Sequence, residues 1–90
     1  MGAWRVELVL KAQDDLAKLD RAVRQRVINR LEWLATNFDS IKPEPLHGDW
    51  KGFFKLRTSN WRAAYNFDSS THLITVHQID PRDKIYKKRR

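Results

Sequence analysis

The sequence predicts an α+β domain in which an N-terminal strand and a helix hairpin precede a three-stranded antiparallel meander, with the helices on one face of a single sheet. Three observations predict it. Apolar residues alternate at the start, recur every three or four residues through the next third, and alternate again in the second half. The helical third contains no Gly or Pro. Turn residues divide the second half into three extended runs of similar length.

Each element has its own justification. Trp4-Arg5-Val6-Glu7-Leu8-Val9-Leu10 puts Trp4, Val6, Leu8 and Leu10 on one side, as a strand does. From Lys11 to Phe38, the residues Leu16, Leu19, Val23, Val27, Leu31, Leu34 and Phe38 form one helix face. As a single helix this stretch would reach about 42 Å, too long for so small a domain. Asp20 can cap a second helix, so the break is expected there, with the long helix running from about Arg21 to Phe38. Asp14 and Asp15 are expected to begin the first helix and to favour its dipole. Ile41 to Asp49, with Pro43, Pro45 and Gly48, reads as a loop. Lys51 to Arg57 reads as a strand, Thr58-Ser59-Asn60 as a turn and Trp61 to Phe67 as its hairpin partner. Asp68-Ser69-Ser70-Thr71 is a second turn, and His72 to Ile79 is a third strand, apolar enough to lie centrally.

Composition bounds the function. The 90 residues are 41% hydrophobic with four Trp, enough for one modest core. There is no cysteine, which excludes disulfides, thiolate metal sites and Cys nucleophiles and makes a reducing cytoplasm the default compartment. No apolar run approaches the roughly 20 residues of a membrane span, and the N-terminus has no secretory pattern. Net charge is +7, divided as +1 over residues 1–45 and +6 over residues 46–90. A positive field so concentrated suits a polyanion such as nucleic acid, or an acidic protein.

Alternation narrows the field to one surface. In the first hairpin strand Phe54 and Leu56 share one side, and Lys51, Phe53, Lys55 and Arg57 the other. In its partner Trp61, Ala63, Tyr65 and Phe67 alternate with Arg62, Ala64, Asn66 and Asp68. One face can pack on the helices while the other presents Lys51, Lys55, Arg57 and Arg62 around Phe53, a surface suited to single-stranded RNA. Asp80-Pro81 reads as a helix cap followed by Pro at the first helical position, which would bring Arg82 and Tyr86 onto one face at the end of the central strand. Residues 1–86 form the expected domain and Lys87-Lys88-Arg89-Arg90 a basic tail. His47, His72 and His77 have no metal-ligand spacing, so no metal is expected. No phosphate-cradling Gly loop or nucleophile elbow is present, and no cofactor is expected. Trp33 and Trp50 read as packing residues.

Phe54-Lys55-Leu56-Arg57, then Trp61-Arg62-Ala63-Ala64-Tyr65, then Ile79-Asp80-Pro81-Arg82-Asp83-Lys84-Ile85-Tyr86 resemble the RelE branch of the RelE/ParE toxins of bacterial toxin–antitoxin systems. The strand–helix–helix–three-strand order is similar as well, over nearly the whole chain. The resemblance implies an mRNA endonuclease acting in the ribosomal A site and silenced by a RelB-like antitoxin that covers the basic sheet face in a hetero-oligomer. By position, Lys55 corresponds to a catalytic lysine and Arg62 to the arginine that holds the phosphate at the cleavage point. Arg82 and Tyr86 correspond to the C-terminal arginine and tyrosine. Lys51, Phe53, Arg57 and Lys84 are the expected RNA-binding residues. Some members carry a further lysine where this chain has Phe53, and Lys51 is the nearest candidate to compensate.

These residue types suit cleavage by the RNA's own 2′-oxygen. The reaction needs a base for the 2′-OH, cations for the charge growing on phosphate, and an acid for the leaving 5′-oxygen. Clustered cations make a lysine or tyrosine a better base than it is in water. Tyr86 or Lys55 is the expected base, with Arg62 and Arg82 binding the transition state. Two other functions remain open: inhibition of DNA gyrase without nuclease activity, as in ParE-type relatives, and nucleic-acid binding without catalysis.

Overall fold

Asp20 separates the two helices. In the computed structural model, which describes residues 3–81, α1 spans Leu10–Ala17 and α2 spans Arg21–Asn37. The Asp20 side chain accepts a hydrogen bond from the Val23 N–H at 3.0 Å, satisfying a donor at the start of α2 that has no helical partner. A 3-10 turn over Phe38–Ser40 follows α2 and carries Phe38 into the core.

The strands are β1 (Arg5–Leu8), β2 (Glu44–Pro45), β3 (Phe54–Thr58), β4 (Trp61–Asp68) and β5 (Leu73–Pro81). They form one sheet in the order β1-β5-β4-β3-β2. β1 runs parallel to β5, and the other pairings are antiparallel. The third strand of the meander is therefore interior, paired on both sides by β1 and β4, as its apolar character predicts. The helices lie on one face, where Ala12, Leu19, Val27, Leu31, Leu34 and Phe38 pack with Leu56, Ala63, Tyr65, Ile74, Val76 and Ile79. Trp4 closes one end: it lies 4.6 Å from the Phe38 ring and stacks on His72 at 4.7 Å, while its Nε1–H donates to Asp39.

Several expectations are corrected. β2 lies inside the expected loop, at the sheet edge, where Pro45 removes no interior hydrogen bond. β3 begins at Phe54, not Lys51. The chain makes a 3-10 turn over Gly48–Trp50, and Gly52 takes a φ of +92°, open to glycine and strained for other residues. Lys51 thus falls in a turn and leaves the alternation that would have aligned it with Lys55. Asp14 and Asp15 do not begin α1, which starts at Leu10. Asp15 is buried instead. It is paired with Lys11 and accepts the Ile79 N–H at 3.0 Å, on the edge of β5 beyond the last β1 pair, Leu8↔Val76. Asp80-Pro81 belongs to β5 rather than to a helix start.

Candidate nucleic-acid interface

Register places the site on the sheet face opposite the helices. Arg57 lies opposite Arg62, Lys55 opposite Ala64, and Arg62 opposite Asp80. Lys55, Arg57 and Arg62 therefore share one side of the hairpin, as alternation predicts. β5 contributes more to this face than simple alternation allows. Between Ala64 and Tyr65 the register shifts, with Ala64↔Gln78 followed by Tyr65↔Val76 and His77 left over as a bulge. Val76 and Ile79 both reach the core, so His77 and Gln78 face outward together, with Asp80 two residues on. The Gln78 side chain donates to the Asp80 carboxylate, and His77 Nε2 lies 3.0 Å from Asn66 Oδ1.

The face is partly covered. Leu46, Trp50 and Ala64 form a second apolar cluster, with Phe53 packed against it. Phe53 sits edge-on to Trp50 at 5.1 Å and to His77 at 5.0 Å, so its ring packs inside this cover rather than standing as an open platform for bases. Trp50 is a packing residue, as expected.

The cations differ from one another. Arg62 is only 6% exposed. Its Nη1 donates to the Trp61 carbonyl at 3.0 Å and the Ser59 carbonyl at 3.4 Å, and its buried Nε has no hydrogen-bond partner among the described residues. Lys55 is half-buried. Arg57 is exposed and forks onto Glu44, with Nε–Oε1 at 3.1 Å and Nη2–Oε2 at 2.5 Å. The Arg57 hydrogen bonds hold the Glu44 carboxyl below the usual carboxylate range, and the charges of Arg57, Lys55 and Arg62 act in the same direction. That response marks the convergence of three cationic fields. Arg82, Lys84, Tyr86 and the tail 87–90 lie outside the described residues. Among the described residues no three His, Asp or Glu side chains converge on a metal site.

The residues missed in the sequence are Glu44, His77, Gln78 and Asp80. For His77 and Gln78 a signal existed, since two consecutive polar residues between Val76 and Ile79 break the period of two, and the same break shifts Asp80 onto their face. Glu44 had none, because a two-residue edge strand is too short to show a period.

The family model described as ParE toxin of type II toxin–antitoxin system, parDE, matches residues 6–86. The chain belongs to the ParE toxin family of type II toxin–antitoxin systems. Solved structures agree on the fold of this toxin. The RelBE2 toxin–antitoxin complex from Mycobacterium tuberculosis is similar at TM-score 0.78 and 22% identity, covering 90% of this chain and all of that one. A mutant of Escherichia coli RelE in the free state is similar at 0.72 and 20% identity, covering 92% and 87%. YafQ from E. coli is similar at 0.62 and 20% identity, covering 92% and 98%. No curated protein matches the sequence significantly. Among the described residues of the toxin, no helix is long and apolar enough to cross a membrane.

Proposed function

We propose that this toxin is a ribosome-dependent mRNA endonuclease that cuts by attack of a 2′-oxygen on the adjacent phosphorus, without metal or other cofactor, in the cytoplasm. The observation that carries the reading is the pair Lys55 and Arg62 on neighbouring strands of one sheet face, with their fields and that of Arg57 converging at Glu44. Arg62 is pinned by two backbone carbonyls, so its guanidinium is preorganised for charge that grows on a phosphate. Lys55 supplies a proton acceptor or donor beside it. Arg82 and Tyr86 complete the set, Arg82 on the phosphate and Tyr86 as the alternative base, and Lys51, Arg57 and Lys84 hold the flanking backbone. A RelB-like antitoxin would silence the toxin by covering this face.

The test is cleavage of mRNA on translating ribosomes by wild-type toxin and by folded Lys55→Ala, Arg62→Ala and Tyr86→Phe variants. Each variant is expected to lose about 100-fold or more, the scale of a removed acid–base or oxyanion partner. Cognate antitoxin should protect the mRNA in the same assay. Wild-type cleavage by all three variants sinks the proposal. The match to a ParE family model favours a second reading, inhibition of DNA gyrase by binding. Inhibited supercoiling beside intact mRNA would establish that reading instead.

A further inference from the structure

A second basic surface lies around the β2–β3 edge, on the side of α2. Trp33, which the sequence suggests is a packing residue, is 39% exposed and is one of two large apolar side chains exposed among the described residues. The Arg30 guanidinium lies 4.0 Å over its ring, and Arg30 Nε donates to the Arg57 carbonyl at 3.2 Å. The stack is thus fixed to β3. Beside it opens a cleft of about 240 Å³ lined by Arg30, Trp33, Lys42, Glu44, Lys55 and Arg57, with Ile41, Pro43 and Leu56 among its apolar surface. Four cations meet one carboxylate there, and that carboxylate is paired with Arg57.

We propose that this cleft binds single-stranded RNA, seating an unstacked base against the Trp33–Arg30 stack and its phosphates on Lys42 and Arg57. Bases lie against aromatic faces and guanidinium planes, and phosphates against neighbouring cations. An acidic peptide would use the cations, but its carboxylate side chains have no planar face for the ring, whereas every nucleobase has one, so RNA fits better. Lys55 lines the cleft and also belongs to the sheet face described above. One strand of RNA can therefore cross the β2–β3 edge, with a nucleotide held at Trp33 and the backbone continuing toward Arg62. The inference shares its ligand class with the nuclease reading and names the flank of that site.

The test measures binding apart from cleavage. A fluorescently labelled single-stranded RNA of 12 nucleotides is titrated with the whole toxin by anisotropy, and each variant is checked for an unchanged melting temperature. Trp33→Ala is expected to weaken binding about five- to hundred-fold, and Trp33→Phe by less than about threefold, as for a stacking contact. Arg30→Gln should weaken binding and flatten its salt dependence. Wild-type affinity in Trp33→Ala overturns the inference. So does a Trp33→Ala toxin that loses antitoxin but keeps RNA, since the cleft would then seat protein. RNA bound through Trp33 while ribosomal mRNA stays uncut would support the cleft and remove the nuclease reading.

Discussion

Tyr65 sits on the helix-facing side of β4, 1% exposed, and burial together with the nearby Glu44 charge pushes its phenol up to about 12. A phenol ionises near 10 when the chain is unfolded. The folded state therefore favours the neutral form, and this contribution to stability is complete below about pH 10 and lost as pH rises from there through about 12. Absorbance titration at alkaline pH should resolve a phenol class near 12, and Tyr65→Phe should remove it. If both tyrosines ionise near 10 in folded protein, the packing around Tyr65 is not as described. Glu44 has the opposite sign. Its depressed carboxyl adds stability above the ordinary carboxylate range, and that contribution fades as pH falls through its folded value. With both partners largely exposed, its pair with Arg57 serves more to position the guanidinium than to stabilise the fold.

At the scale of elements, the sheet depends on a helix in an unexpected way. β1 ends at Leu8, and beyond it the Ile79 N–H on β5 has a carboxylate from α1 as its acceptor. Asp15→Ala should destabilise the toxin by about 1–3 kcal/mol, the cost of leaving a buried donor unpaired. Asp15→Asn, which keeps an acceptor oxygen, should recover much of that. Equal denaturation midpoints for wild type and Asp15→Ala would refute the role. Much of the fold was legible because period and capping act locally: Asp20 ends one helix pattern and starts another, and the β3–β4 alternation puts Lys55 and Arg62 on one face. What escaped depends on contacts distant in sequence. Asp15 reads as an N-terminal helix residue until β5 arrives beside it, and Lys51 reads as strand until Trp50 is buried and Gly52 turns the chain. The bulge at His77 is intermediate, since the polar pair marks it but only pairing with β4 reveals which face it serves.

For the whole molecule, the sheet is covered on both sides, unequally. The helices cover one side with a broad core, and Leu46, Trp50 and Phe53 cover part of the other over Ala64. The smaller cover sits over Ala64, the register partner of Lys55, and so borders the cationic site. Trp50→Ala should cost about 3–5 kcal/mol, as for a buried large aromatic. Unchanged thermal unfolding would show that the cover is dispensable.

The position of β5 has a kinetic consequence. Arg5 pairs with Leu73, and the same strand pairs with β4 along its length. The segment that joins the first strand to the hairpin is therefore among the last described residues to be synthesised. Such non-local pairing slows folding, and β1 has no partner in the sheet until β5 emerges. In a nascent toxin β1 therefore waits unpaired while both helices and the β3–β4 hairpin are made, and the five-stranded sheet closes only when β5 follows.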